Sequence, residues 1–329
     1  MSFRPIFSLQ PDVKHFPNLD GWRFIAAFMV ILGHCQQLIV DESKKILGHE
    51  IRVYQPFANK LANFGVNFFY VLSGFLISYL LFVEYNKTQT IQIKHFYYRR
   101  FLRIWPLYFA VGLLGLTFGK YFVDWVGYFA EVPYTLKDYQ NNLFFLCTFS
   151  INFQTLLGFQ VPVSSLLVGH FWSLGIEEQF YLIWAPAIYF FRKKMWLIIT
   201  LFVVIGLAFN LIPSDYPLIK PYYHFHYYFT VNRFYHFGIG AALAYFIRYF
   251  DKNAFYENLY YLLQTIHVPP SVILALRQPN FRQFVNYMLQ IVLSYWVFNY
   301  LFGEKYYYDY ECIVHGYMSI FIIALAIQH

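Results

Sequence analysis

Apolar runs long enough to cross a lipid bilayer recur along the whole chain, and this limits the fold more than any other feature. They lie near residues 19–40, 64–83, 104–122, 169–191, 195–212, 232–250, 284–302 and 311–327, with an interrupted one at 141–158. A hydrocarbon core about 30 Å thick takes about 20 residues of helix, and a helix satisfies its own backbone polar groups there. The expected fold is all-α: a polytopic transmembrane helical bundle of about nine or ten spans, forming a single domain over 1–329.

Composition agrees. Of 329 residues, 59% are hydrophobic, 24% aromatic and only 12% charged, where a soluble domain carries about 25% charged residues. The mean hydropathy is +0.42. The net charge of +7 comes from short basic patches between apolar runs. That is the positive-inside pattern of a membrane protein and not a nucleic-acid-binding stripe. Cys35, Cys147 and Cys312 lie in or beside apolar runs without metal or redox spacing, and are expected to be inert core thiols. Residues 1–16 are polar and mixed, so no cleavable leader is visible, and the N-terminus is expected in the cytoplasm.

Several apolar runs contain polar residues that cost free energy in a bilayer. In LDGWRFIAAFMVILGHC, Arg23 and His34 are eleven residues apart. At about 100° per residue they share one face, roughly 16 Å apart along the axis. Ionisable groups at such depth face a bundle interior or a wet cavity. The alternatives are an Arg23 that snorkels to the headgroups, with Asp20 as ion-pair partner, and a His34 satisfied inside the core. The second run, FGVNFFYVLSGFLISYLLF, carries Ser73-Gly74 at its centre, where small residues admit a close neighbour.

The most basic stretch, KTQTIQIKHFYYRRFLRIWPLYF, holds Arg99, Arg100 and Arg103 and reads as a cytoplasmic loop, with Pro106 in the first turn of the next span. The cluster is either a topology signal or a site for an anionic ligand, since guanidinium forks match phosphate geometry. In GHFWSLGIEEQFYLIWAPAIYFF, Glu177, Glu178 and Gln179 enter an apolar run. A helix cap at Ser173 with acidic residues in the first turn explains one glutamate, but accounts less well for the whole string. Residues 141–158 are read as re-entrant, because a crossing there puts the basic triplet Arg192, Lys193 and Lys194 outside. His224, His226 and His236 lack supporting carboxylates or cysteines, so no metal is expected. Residues 251–283 read as an irregular interfacial connection.

Four strings in order carry a resemblance: Arg23 to His34, FFYVLSGFLIS at 68–78, RRFLRIWPLYF at 99–109 and FWSLGIEEQFYLIW at 171–184, with NRFYHFGIGAALAY at 232–245 as a weaker fifth. Together they resemble the integral membrane acyltransferases of acyltransferase family 3 over about 19–245. Beyond 250 the likeness fades. The glycine-serine-tyrosine run ahead of a final histidine-containing span is not found, so the last one or two helices are expected to be missing. The resemblance implies transfer of an acyl group, commonly acetyl, from cytoplasmic acyl-CoA to a hydroxyl of an extracytoplasmic glycan or similar acceptor, in a bacterial inner membrane. It maps His34, Glu177 and Arg23 onto the catalytic positions, and Arg99, Arg100 and Arg103 onto acyl-CoA. Ser73, Trp172, Ser173, Glu178, Tyr181 and Arg233 stand as supporting or substrate residues.

The chemistry is compatible. A thioester-to-alcohol transfer needs a base, donors for the oxyanion and a polarised carbonyl. A buried neutral His34 suits the base role, with Glu177 either orienting it or pairing with Arg23. An acyl-enzyme through His34, Ser73 or Ser173 stays open beside direct transfer, which needs fewer assumptions. The rival readings are a transporter or flippase for a glycan, lipid or solute, using the same intramembrane groups, and a scaffold subunit that tolerates loss of His34.

Overall fold

The computed structural model describes residues 16–47, 55–126, 136–159, 170–213, 216–222, 224–249 and 311–328, with the single positions 264, 269 and 271. Every regular element among the described residues is an α-helix, as expected. In chain order these are α1 (Pro17–Leu47), α2 (Gln55–Thr88), α3 (Ile93–Val126), α4 (Leu136–Cys147), α5 (Ile151–Leu156), α6 (Phe171–Phe190), α7 (Met195–Asn210), the single turn α8 (Phe225–Tyr228), α9 (Thr230–Tyr249) and α10 (Glu311–Gln328). Two stretches are long and apolar enough to cross a membrane, Asn59–Thr88 in α2 and Ile93–Phe118 in α3, while Met195–Asn210 and Ile313–Ala324 are apolar but shorter. The expected span at 284–302 and the connection at 251–283 lie outside the described residues.

Three expectations are corrected. The basic stretch is not a loop, because α3 begins at Ile93 and carries Arg99, Arg100 and Arg103 as helical residues. Pro106 therefore lies in the interior of α3, where it removes a backbone bond that the first turn would never have made. Cys35 and Cys147 are free and exposed. An apolar neighbourhood in sequence does not by itself put a residue inside the fold. Residues 141–158, read as a re-entrant segment, are divided between two helices. The 12-residue α4 reaches about 18 Å, and a break at Thr148–Ser150 separates it from the 6-residue α5.

The chain divides into two compact units, one of residues 1–69 with 243–329, the other of 70–242, the boundaries falling inside α2 and α9. In the first unit α1 packs on the start of α2, with Trp22 and Phe68 ring centroids 6.3 Å apart. Asn18 donates to the Ala326 carbonyl of α10 at 3.2 Å. Asn67 and His315, both buried, are hydrogen-bonded at 2.7 Å, and Phe64 sets its ring edge-on to His315 at 5.5 Å.

The core of the second unit is aromatic. Phe180 stacks on Phe237 at 3.9 Å and 8°, and on Trp184 at 5.2 Å. The Trp184 indole donates to Ser78 at 2.9 Å. α2 and α9 approach backbone to backbone: a Cβ on Gly74 would overlap the Phe237 carbonyl, and one on Gly240 the Val71 carbonyl. Pro186 lies inside α6 and cannot bond the Leu182 carbonyl. The Tyr97 hydroxyl of α3 donates to that carbonyl at 2.9 Å, so the proline's orphaned acceptor is satisfied from the next helix.

The close approach makes a stability prediction. Gly74→Ala is expected to lower the thermal midpoint of the protein in nanodiscs, by an overpacking cost of about 1–3 kcal/mol. Gly21→Ala, where a Cβ meets nothing within 4 Å, is expected to keep or raise it, since alanine is the better helix former. Equal midpoints for Gly74→Ala and wild type would refute the contact.

Candidate active site

The acidic string of α6 does not cap its helix. α6 starts at Phe171 behind His170, with no acidic residue in its first turn. Ser173 lies inside that turn and donates to the His170 carbonyl at 2.9 Å. Glu177 therefore stands in the second turn, beyond the reach of a cap, and its position has to be explained by what it touches.

Glu177 and Tyr181 are four residues apart and share a face of α6. The Tyr181 hydroxyl donates to Glu177 Oε1, and so does Ser73 Oγ, arriving from the middle of α2. Tyr181 Oη also lies 3.4 Å from Ser73 Oγ, closing the triangle. Tyr181 is buried, whereas Ser73 and Glu177 are half-buried. Two donors on one carboxylate oxygen offset much of the cost of taking that charge out of water.

Arg100 comes from α3 to the same place. Its guanidinium carbon lies 5.6 Å from the Tyr181 ring centroid and 5.7 Å from that of Phe96, in cation–π range. Its Nε is buried and has no hydrogen-bond partner among the described residues. The other two arginines of the cluster go elsewhere. Arg99 is exposed, 3.8 Å from Glu84, and Arg103 is exposed. The run that reads as one anion site is thus split, with one arginine inward and two outward.

Glu178, one step round the helix, faces another environment. It is buried, and Trp105 Nε1 donates to its Oε2 at 3.1 Å. Its Oε1 has no partner among the described residues. Below Ser73 on the same face of α2, the Tyr70 hydroxyl is buried and also unpartnered among them. Arg233 of α9 lies over Tyr70 at 5.8 Å and over Tyr227 at 5.2 Å, and donates to the Tyr227 carbonyl at 2.7 Å. Trp172 packs on Tyr227 at 4.6 Å, so it shares that partner with Arg233.

A polar network that sequence reasoning did not assemble braces the site. Gln179 donates to the Phe149 carbonyl at 2.7 Å and to Asn152 Oδ1 at 2.9 Å, and accepts from Thr230. Asn152 in turn donates to Tyr228 O and Thr230 Oγ1, each at 3.0 Å. Phe149, at the break between α4 and α5, has φ +52°, a left-handed conformation that a bulky residue adopts only where its surroundings enforce it. The available signal was the pair Asn152 and Gln154 inside an apolar run, since buried amides need partners. Trp105 and Tyr70 gave no signal beyond membership of the quoted strings.

Arg23 and His34 belong to the first unit. Arg23 pairs with Asp20 at 2.7 Å, the partner its spacing offered. His34 is exposed and makes no hydrogen bond within the described residues. His226 Nδ1 lies 3.0 Å from Asn232 Nδ2. Among the described residues no three His, Cys, Asp or Glu side chains are grouped to hold a metal.

The cluster brings a carboxylate, two hydroxyls and a guanidinium together on facing helices. The chain belongs to acyltransferase family 3: the family model, described as an acyltransferase domain, matches residues 16–328. The likeness is therefore not confined to 19–245, and it runs through α10. Curated relatives include the peptidoglycan O-acetyltransferase OatA of Listeria monocytogenes, 29% identical over 188 residues. They also include the putative peptidoglycan O-acetyltransferase YrhL of Bacillus subtilis, 30% over 173 residues, and the O-acetyltransferase OatA of Staphylococcus aureus, 31% over 196 residues. These alignments cover 55%, 52% and 58% of this chain and 25%, 23% and 28% of the relatives, so the chain matches about a quarter of their length. No solved structure matches it significantly.

The network carries the second prediction. Gln179→Leu leaves the Phe149 carbonyl, Asn152 and Thr230 short of a partner, at about 1–3 kcal/mol for each unsatisfied buried group. A clear fall in the thermal midpoint in nanodiscs is expected. An unchanged midpoint would show that the amide does not brace the break.

Proposed function

We propose that the chain is an integral membrane O-acyltransferase that moves an acyl group, acetyl by its relatives' names, from cytoplasmic acyl-CoA to a hydroxyl of a cell-envelope glycan, with peptidoglycan the first acceptor to test. The carrying observation is the Glu177 carboxylate, held by Ser73 and Tyr181 with Arg100 beside it, in a chain of this family. The membrane part of the reading is supported by α3, whose Leu107, Leu114 and Phe118 share a face and are all more than half exposed. Such a face suits lipid rather than water. The bundle lies in the bacterial inner membrane with its N-terminus in the cytoplasm and residues 141–158 re-entrant.

His34, exposed on α1, acts as base toward the acceptor hydroxyl. Arg99 and Arg103, free to reach solvent, take phosphates of CoA. Arg100, over Tyr181, acts nearer the reacting thioester. No metal takes part.

The test is CoA release and label transfer from radiolabelled acetyl-CoA by the protein in nanodiscs, with and without peptidoglycan. Glycan-dependent release is expected in wild type. Glu177→Gln and His34→Ala are expected to lower turnover by about 10²–10⁴-fold, the range for loss of an acid–base group, at unchanged thermal midpoint. Arg99→Ala and Arg103→Ala should raise the KM for acetyl-CoA more than they lower kcat, with the reverse for Arg100→Ala. No release from wild type with any glycan would overturn the reading, and an active His34→Ala would remove the base assignment alone.

A further inference from the structure

Three residues were open as carriers of a covalent intermediate, and the geometry separates them. Ser173 Oγ spends its proton on the His170 carbonyl inside its own helix. His34 makes no hydrogen bond within the described residues, so nothing there orients its ring. Ser73 Oγ donates to a carboxylate. A hydroxyl is a weak nucleophile until a base stands within hydrogen-bond reach, with a third group holding the base in line. Glu177 is that base and Tyr181, on the same Oε1, is that third group. All three lie within one compact unit. Ser73 and Glu177 are only half-buried, unlike Tyr181, so the pair stays approachable from one side.

Donors for the developing oxyanion are at hand. Tyr70 precedes Ser73 by three residues on α2, about 4.5 Å along the axis and on nearly the same face. Its hydroxyl is buried and without a partner among the described residues, a condition that calls for an occupant. Arg100 Nε, on the Tyr181 side, is in the same condition.

We propose that Ser73 is the nucleophile of a two-step reaction and carries the acyl group as an oxygen ester, with Glu177 as its general base. This rests on the acyltransferase reading above. In the first step Glu177 takes the Ser73 proton and Oγ bonds to the thioester carbonyl carbon. The C–S bond then breaks, and CoA leaves as the thiol with the proton from Glu177. In the second step the acceptor oxygen bonds to the same carbon and the bond to Ser73 Oγ breaks. The proton of the acceptor hydroxyl passes to Oγ, restoring the starting state with no oxidant or further reactant.

The experiment mixes the full chain in nanodiscs with [1-¹⁴C]acetyl-CoA in the absence of glycan, followed by intact mass and peptide mapping. The expected result is release of CoA with one acetyl group retained on the peptide containing Ser73, discharged when peptidoglycan is added. Ser73→Ala and Glu177→Gln should abolish the label, and Ser73→Ala should lower transfer on the order of 10⁶-fold, the scale for removing a nucleophile. In Ser73→Cys the label should become labile to neutral hydroxylamine, as a thioester is and an ester is not; this covers a Ser73→Ala protein that fails to fold. Transfer to glycan by a wild type that never carries label, or label on another residue, would overturn the proposal and leave the acyltransferase reading standing. An absence of both label and transfer would bring down both.

Discussion

One hydrogen-bonded carboxylate ties the second unit together. Glu177 accepts from Ser73 of α2 and from Tyr181 of its own helix. A half-buried carboxylate in these apolar surroundings is favoured by donors in place. One of its two donors comes from a neighbouring helix, which must then lie close. Gly74, adjacent to Ser73, is where α2 meets the backbone of α9 with no room for a side chain, and Gly240 repeats the contact one turn along. The small residues in the middle of α2 thus serve the polar contact as much as the packing, since they decide how near the serine can be brought.

Broken helices are normally a liability in lipid, because each freed carbonyl or amide must find a partner inside the protein. Here the repairs converge on α6. Pro186 frees the Leu182 carbonyl and Tyr97 fills it. The turn at Phe149 exposes a carbonyl and Gln179, two residues after Glu177, takes it. Gly175 lies against the same carbonyl, where a Cβ would come within 2.7 Å of the Phe149 oxygen. The left-handed Phe149 is stacked on Tyr108 at 4.5 Å and set against Trp105 at 5.0 Å, and Trp105 is the partner of Glu178. The strain at the break and the second carboxylate therefore share one set of neighbours.

How much of this could be read beforehand follows from what each signal measures. Hydropathy reports helix existence well, and α6, α7, α9 and α10 fall where the apolar runs put them. It reports ends poorly, because an amphipathic first turn continues a helix without being apolar. That is how a basic loop became the start of α3. Glu177, Ser73 and Tyr181 could be picked out singly, as polar residues in apolar surroundings. Their convergence could not, since Ser73 and Glu177 are 104 residues apart in the chain. The arginines were misgrouped for a different reason. Spacing shows that Arg99 and Arg103 share a face, but not that this face looks outward while Arg100 looks in.

Adjacent glutamates on a helix point about 100° apart, and this step lets two identical side chains do unlike work. Glu177 meets hydroxyls whose protons it can take and return. Glu178 meets an indole N–H, which donates but does not surrender its proton at ordinary pH. A base for a serine or an alcohol has to be the first of these, because only there is a transferable proton already in contact. The second is a buried acceptor that fixes the rotation of α6 about its axis through Trp105, and that rotation aims Glu177 at Ser73. On this view the two carboxylates are not alternatives for one role: losing Glu178 should misplace the base, and losing Glu177 should remove it.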